Sequence, residues 1–412
     1  MDPAVLSRFL RYVAYDTQSR EASSEYPSTP GQLVLLNDLV AELRAIGIAD
    51  ASIDEYGYVM ATIPSTTRKQ DVPVIGFIAH VDTSPEMPGA GVRPLVHRGY
   101  DGRDLTLPDD PSAVLRVADT PYLGDCLGHD IVTASGKTLL GADNKSGVAE
   151  IMTATEHLMT HPDIPHGAIR IGFTPDEEVG HGTKYFDVSR FGARCAYTVD
   201  GGQRGELEYE SFSADAITFT FHGFNTHPGF AKGRMINALK LAARFIDRLP
   251  KDQSPEATEG REGFVHPYVM EPSVDKTSVK LLVRDFDTSR LAAREQWLRD
   301  LAADVVAEAP GASVEVAVEE SYRNMREVLD HHPQVVANAR TAMTRAGLTV
   351  HERAIRGGTD GSRLSFMGLP TPNIFAGEQN FHSRLEWVSV QDMQKAVDVI
   401  VELAKVWEEQ AP

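Results

Sequence analysis

The chain has 412 residues, 42% of them hydrophobic and 24% charged, with a formal net charge of -19. That length accommodates two domains with separate cores, and the composition is that of a globular protein, not of a disordered or membrane-embedded one. The acidic balance argues against a nucleic acid partner, because a phosphate backbone requires a basic surface.

At the N-terminus Val5, Leu6, Phe9, Leu10 and Val13 recur at helical spacing. Arg8 and Arg11 interrupt any secretory apolar core and are expected on the outer face of this amphipathic helix. Leu33, Leu36, Leu39, Val40 and Leu43 mark a second helix after a Ser/Pro/Gly-rich loop. No apolar run is long enough to span a bilayer, so no membrane partner is expected. Cys126 and Cys195 are too few for a disulfide framework or a thiolate metal site, which points to a reducing, cytoplasmic location.

A strand is expected near Tyr58 to Ile63, and a fully covered one at Val74 to Ala79, leading into His80-Val81-Asp82. Residues 84–130 are rich in Pro, Gly and Asp and read as loops over the end of the sheet. Thr138 to Ala149 reads as a buried strand through Leu139-Leu140, a tight turn bearing Asp143, and a helix from Gly147 to about Met159. Further buried strands are expected at Ala168 to Phe173, leading into Asp176-Glu177-Glu178, and at Ala196 to Val199, leading into Asp200. Strands alternating with helices indicate a mostly parallel α/β sheet flanked by helices.

After Ser211 the pattern changes. Ala216 to Phe221 alternates like a half-exposed strand, and a helix follows with Ile236, Leu239, Leu241, Ala242, Phe245 and Ile246. Strand Thr277 to Phe286, a helix over Thr288 to Glu308 and strand Ser313 to Glu319 complete a βαββαβ-like order, an α+β unit whose antiparallel sheet carries helices on one face. From Asn324 the α/β pattern returns, with a helix near Pro333 to Ala346, a strand at Pro372 to Ala376 and a last helix from Val390. The expected organisation is a catalytic domain of residues 1–211 and 324–412, interrupted by an inserted lid domain of residues 212–323.

The chemistry collects at the expected strand ends: His80 with Asp82, Asp143, Glu177 with Glu178, and Asp200, with His382 following a fifth strand. Carboxylates and imidazoles without thiolates suit one or two catalytic zinc-type ions. Gathered in one crevice without a cation, so many carboxylates would repel one another. His80 and Asp82, two apart on a strand, face the same way, so Asp82 is positioned to orient the imidazole. Glu177 and Glu178 cannot point in one direction, which leaves one for metal and one as a general base.

His80-Val81-Asp82, Leu140-Gly141-Ala142-Asp143-Asn144-Lys145, Thr174-Pro175-Asp176-Glu177-Glu178-Val179-Gly180, Thr198-Val199-Asp200-Gly201-Gly202 and Arg356-Gly357-Gly358-Thr359-Asp360-Gly361 together resemble the co-catalytic zinc peptidases related to aminoacylases and carboxypeptidases. The resemblance covers nearly the whole chain. It implies two Zn2+ ions, one held by His80 and Asp200, the other by Glu178 and His382, with Asp143 bridging and the Asp143–Asn144 peptide bond cis. It implies that Glu177 is the general base and that Asp82 orients His80. It further implies that His227 of the lid reaches the active site, and that Arg284 and Arg356 contact the peptide carboxylate or the reacting carbonyl. The implied activity is release of the N-terminal residue from short unblocked peptides, chiefly tripeptides. A dipeptidase or N-acyl amino acid hydrolase would use the same metal residues. The native metal (zinc, cobalt or manganese) and the oligomeric state are left open, the exposed strand edge of the lid being where two copies could pair.

Overall fold

The computed structural model describes residues 3–412. The chain divides into two compact units: one comprises the chain up to Tyr209 together with Glu327–Arg353 and Thr359–Pro412, the other Glu210–Arg326 with Ala354–Gly358.

The first unit is built on an eight-stranded sheet in the order Ser52–Ile53, Val59–Ile63, Ile169–Thr174, Ile75–His80, Cys195–Gly201, Asn373–Phe375, Glu206–Ser211, His351–Ile355. Its four middle strands, from Ile169–Thr174 to Asn373–Phe375, run parallel. Every residue of Ile75–His80 is buried, as the continuous apolar run requires of a strand covered on both faces. The parallel strands are aligned so that His80 lies beside Thr174, and their carboxyl ends open on one edge of the sheet.

Helix Ala142–Thr160 packs across the strands Ile75–His80 and Cys195–Gly201. The approach is close at Gly147, where an added Cβ would stand 2.0 Å from the Val199 carbonyl oxygen. The strand expected at Leu139-Leu140 is absent. Both leucines are buried, but in irregular chain, and the strand of this region is Ile131–Thr133, in a separate sheet ordered Glu378–Gln379, Trp387–Ser389, Ile131–Thr133, Leu95–His97. A short apolar run reports burial and leaves the source of its hydrogen bonds open. The helix also starts five residues early, at Ala142 rather than Gly147, with Asp143 and Asn144 in non-helical backbone conformations.

Arg8 departs from expectation as well. It is buried on helix Ala4–Tyr12, its guanidinium lying 2.8 Å from Glu42 Oε1 and 2.9 Å from Glu156 Oε2. These two carboxylates neutralise it, which is the condition for turning a cation inward.

The second unit is a four-stranded antiparallel sheet ordered Phe264–Glu271, Lys276–Asp285, Ser213–His222, Ser313–Tyr322. Helices Ala238–Asp247 and Thr288–Ala307 cover one face. Their Leu241, Phe245, Leu291, Leu298 and Val305 pack on Ile217, Phe219, Phe221, Val279, Leu281 and Val283, alternate residues of the two central strands. Strand Phe264–Glu271 escapes a pattern-based reading because Pro267 interrupts it, at a break in register between Pro267 and Val269, a feature an edge strand tolerates.

Gly147→Ala is expected to destabilise the protein by about 3 kcal/mol, the upper end for overpacking, because the methyl meets backbone that cannot rotate away. Denaturant unfolding measures this, and a loss below about 1 kcal/mol would show that the helix can shift off the strand.

Candidate metal centre

Four parallel strands deliver the side chains. His80 closes Ile75–His80, Glu177 and Glu178 follow Ile169–Thr174, Asp200 lies at the end of Cys195–Gly201, and His382 follows Asn373–Phe375. Asp143 enters from the start of helix Ala142–Thr160. His80 Nε2 is 3.0 Å from Asp143 Oδ1 and 3.4 Å from Asp200 Oδ1. His382 Nε2 is 2.7 Å from Glu178 Oε2 and 3.3 Å from Asp143 Oδ2. Two ligand groups, His80/Asp143/Asp200 and Asp143/Glu178/His382, therefore share one carboxylate, each taking a different oxygen. The Asp143–Asn144 peptide bond is cis.

The donor set fits a pair of divalent ions. Tetrahedral bonds of about 2.0–2.1 Å place neighbouring ligand atoms roughly 3.3 Å apart, close to three of the four separations just given. Glu178 Oε1 is buried without a hydrogen-bond partner, a cost that a coordinated cation removes. Nitrogen and oxygen donors without sulfur suit zinc, manganese or cobalt and do not choose among them.

The backbone around these ligands is held by two further carboxylates. Asp82 is fully buried, with Oδ1 3.3 Å from His80 Nδ1. The same carboxylate accepts from the backbone N–H groups of Glu177 at 3.0 Å and Glu178 at 3.1 Å, so it fixes both an imidazole and the acidic turn. Asp176, with φ 57°, takes up the left-handed conformation of that turn. Its carboxylate accepts from Ser28 N at 2.6 Å and Gln32 Nε2 at 2.7 Å, and its own N–H donates to Gln32 Oε1 at 3.0 Å.

Sequence reasoning passed over Asp176, Asp360 and Glu86 as separate contributors. Asp360 is buried and accepts from Thr174 Oγ1 at 2.8 Å. Glu86 Oε2 lies 3.3 Å from His382 Nδ1, where it can fix the ring. The first two stand inside motifs already singled out. Glu86 has no local signal, since it comes from the Pro-rich loop region.

The carboxyl groups of Asp82, Asp143, Glu177, Glu178 and Asp200, among others, face two imidazoles, and the ionisation behaviour follows. Burial opposes a charge on His80, yet Asp200, Asp143 and Asp82 hold its pKa well above the usual imidazole range. Burial also works against the charge on His382, but hydrogen bonds to Asp143 and Glu178 raise it to about 11. Burial and then the Asp143 carboxylate push Glu178 up to about 8. Glu177 is driven well above the carboxylate range, first by burial and then by Asp360, Asp200 and Glu178, with His80 opposing. Asp143 goes the other way. Burial disfavours its ionisation, but hydrogen bonds from His382 and His80 hold it below its usual value.

His227, Arg284 and Arg356 belong to the second unit. His227 is exposed, its Nδ1 accepting from Gly229 N at 3.1 Å. Arg284 Nη1 donates to the Arg356 carbonyl at 3.2 Å, while its Nε is buried without a partner. The Arg356 guanidinium donates to the carbonyls of Gly260 and Glu262 at 2.9 Å and to Thr258 Oγ1 at 2.9 Å, with Phe212 and Phe264 beneath it.

A third group, Cys126, His129 and Asp392, has metal-ligand spacing but unsuitable chemistry. Arg204 lies 3.1 Å from Asp392 Oδ1 and the Tyr122 hydroxyl donates to Oδ2 at 2.7 Å. Burial, then Asp392, pushes the Cys126 thiol up to about 12, so no thiolate is on offer at neutral pH.

A family model described as Peptidase family M20/M25/M40 matches residues 139–406. A protein named Peptidase T from Geobacillus sp. (strain WCH70) is 49% identical over 411 residues, covering 100% of both chains. Among solved structures, a tripeptidase from Staphylococcus aureus subsp. aureus Mu50 superposes with a TM-score of 0.78 at 21% identity, covering 99% of this chain and 98% of that one. A dinuclear metal binding peptidase of the M20 family from Bacillus subtilis superposes with a TM-score of 0.67 at 16% identity, covering 99% of each chain. At these identities the two structures speak for the fold.

Glu178 and His382 both have folded-state pKa values above their unfolded ones. The stability each confers is complete below the unfolded value and drains away as pH rises through the folded value. Asp143, shifted down, matters only below the ordinary carboxylate range. Chelator-treated protein is therefore expected to lose a few degrees of Tm between about pH 5 and about pH 8 and to go on losing above that, while saturating divalent metal flattens the slope. Thermal melts across that interval measure it. A metal-free Tm that rises with pH would contradict this account of the centre.

Proposed function

The chain belongs to peptidase family M20/M25/M40, and from that premise we propose that it is a dizinc tripeptide aminopeptidase, releasing the N-terminal residue of short unblocked peptides. The observation that carries the reading is the sharing of Asp143 by two ligand groups, with the Glu177–Glu178 turn beside them. The full-length likeness to a protein named Peptidase T supports peptides as substrates.

In this reading His80 and Asp200 hold one ion, Glu178 and His382 the other, and Asp143 both. The bound ions supply Lewis acidity, polarising the scissile carbonyl and making a water molecule acidic near neutrality. Glu177 takes a proton from the attacking water and returns it to the departing amine. Its aim is set from the backbone, since Asp82 accepts the N–H of Glu177 and Asp176, one residue earlier, is tied to Ser28 and Gln32. Asp82 also holds the His80 ring by its second nitrogen.

We assign residues 212–323 the role of a lid that excludes water from the reaction. His227 is proposed to donate to the developing oxyanion. Arg284 and Arg356, already hydrogen-bonded to each other, are proposed to receive the peptide carboxylate. Arg284 keeps an uncommitted donor, its buried Nε. A reducing cytoplasm suits a chain whose two cysteines are both free and buried.

Glu177→Ala is expected to lower kcat on an unblocked tripeptide by about 10²–10⁴-fold while both ions stay bound. Metal content by mass spectrometry, read beside the rate, separates this from loss of the centre. Assays of di-, tri- and tetrapeptides beside N-acyl amino acids, with and without chelator, test the substrate class. Preferential cleavage of acylated substrates, or activity that survives complete metal removal, would overturn the proposal.

A further inference from the structure

Glu386 is 1% exposed and stands four residues after His382, immediately before strand Trp387–Ser389. Its carboxylate is spent entirely on main chain. Oε2 accepts from the N–H groups of Leu140 at 2.6 Å and Gly141 at 2.7 Å, and Oε1 accepts from the N–H of Asp143 at 2.9 Å. This explains how the irregular stretch before helix Ala142–Thr160 stays buried without a strand partner, since buried backbone donors must be satisfied somewhere. It also means that the segment carrying His382 grips the segment carrying Asp143.

The two ligand groups differ in what holds them. His80 and Asp200 lie at the ends of adjacent parallel strands, fixed by sheet hydrogen bonds that do not involve Glu386. Asp143 and His382 lie outside the sheet, in irregular chain and a distorted helix start, with His382 at φ 59°. Their spacing depends on contacts between the two segments. Those contacts include the Glu386 carboxylate, a hydrogen bond from Ser146 Oγ to Glu378 Oε2 at 3.4 Å, and the pairing of Trp387–Ser389 with Ile131–Thr133.

We propose that Glu386 is a positioning residue of the metal centre, setting the aim of Asp143 and its spacing to His382, and so governing occupancy at the Asp143/Glu178/His382 group more than at the His80/Asp143/Asp200 group. This rests on the dimetal reading above. Glu386 touches neither ion nor substrate and acts only through the backbone of its neighbours. Glutamine is the informative replacement because it keeps the shape. One oxygen remains, and the amide that replaces the other cannot accept, so either Asp143 or the Leu140/Gly141 pair loses its acceptor and meets a donor instead.

The test is metal titration of the wild type, Glu386→Gln and Trp387→Phe, following Zn2+ stoichiometry and affinity by calorimetry and the visible spectrum of the Co2+-substituted proteins. The wild type is expected to bind two ions. E386Q should keep one tight ion and bind the second roughly 10–100-fold more weakly, as removal of partners that orient ligands does elsewhere. Saturating metal should then restore most of kcat. W387F, a change in the apolar cluster around Trp387, should lower Tm and leave both affinities in place. If E386Q does not accumulate as folded protein, Glu386→Asp, too short to reach both sites, is read in the same way. Two ions bound to E386Q as tightly as to wild type would overturn the inference, as would equal weakening of both ions or equal weakening of the second ion by W387F. A wild type that binds fewer than two ions would instead overturn the dimetal reading, and this inference with it.

Discussion

The centre depends on a concentration of buried negative charge that the protein alone does not neutralise. Carboxyl groups outnumber the two imidazoles they face, and burial raises Glu177, Glu178 and Asp200 above their ordinary values because none of them can shed charge into water. Repulsion of this kind would push the strand ends apart unless compensating positive charge were present. In the absence of metal, protons serve that purpose, and the imidazoles hold theirs far beyond neutrality. A pair of divalent ions does the same while leaving Glu177 free to ionise. Metal binding, proton release and the strength of the base are thus parts of one electrostatic balance.

The architecture makes such crowding tolerable by dividing the work. Parallel strands supply ligands from rigid backbone, and the residues next to those ligands use their own carboxylates to tie down main-chain N–H groups. Asp82, Asp176 and Glu386 all do this. A carboxylate that accepts backbone hydrogen bonds is itself stabilised, so the scaffold adds acidic residues without adding equally to the repulsion.

Much of this was legible in the sequence, and the exceptions have a common cause. Buried parallel strands announce themselves by unbroken apolar runs, so Val74 to Ala79, Ala168 to Phe173 and Ala196 to Val199 could be read within a residue or two, together with the acidic residues that follow them. Three of the four strands of the second unit and both of its long helices were legible from periodicity, the edge strand Phe264–Glu271 with its Pro267 being the exception. What failed were positions where burial and hydrogen bonding are satisfied by distant partners. Leu139-Leu140 looked like a strand because nothing local shows that the Leu139 N–H donates to the Pro88 carbonyl and that a glutamate some 250 residues later accepts from Leu140. Arg8 looked exposed because its partners, Glu42 and Glu156, lie on other helices. Glu206–Ser211, next to the sheet edge, and His351–Ile355, at the edge itself, carry charged residues and offered no apolar run to find.

The placement of Asn373–Phe375 between Cys195–Gly201 and Glu206–Ser211 has a consequence for how the protein comes into being on the ribosome. A strand made late occupies the interior of a sheet whose other members, apart from His351–Ile355, were made long before. Until it arrives, both flanking strands present unpaired edges, and the loop bearing His382 does not yet exist. Synthesis therefore sets the order of events: the nascent chain can fold its second unit and gather His80, Glu178 and Asp200, but Asp143, whose N–H is held by Glu386, and hydrolytic competence wait for the final stretch of translation. A chain cut short before that point would be a ligand-poor, edge-exposed fragment, a target for quality control and not an unregulated peptidase.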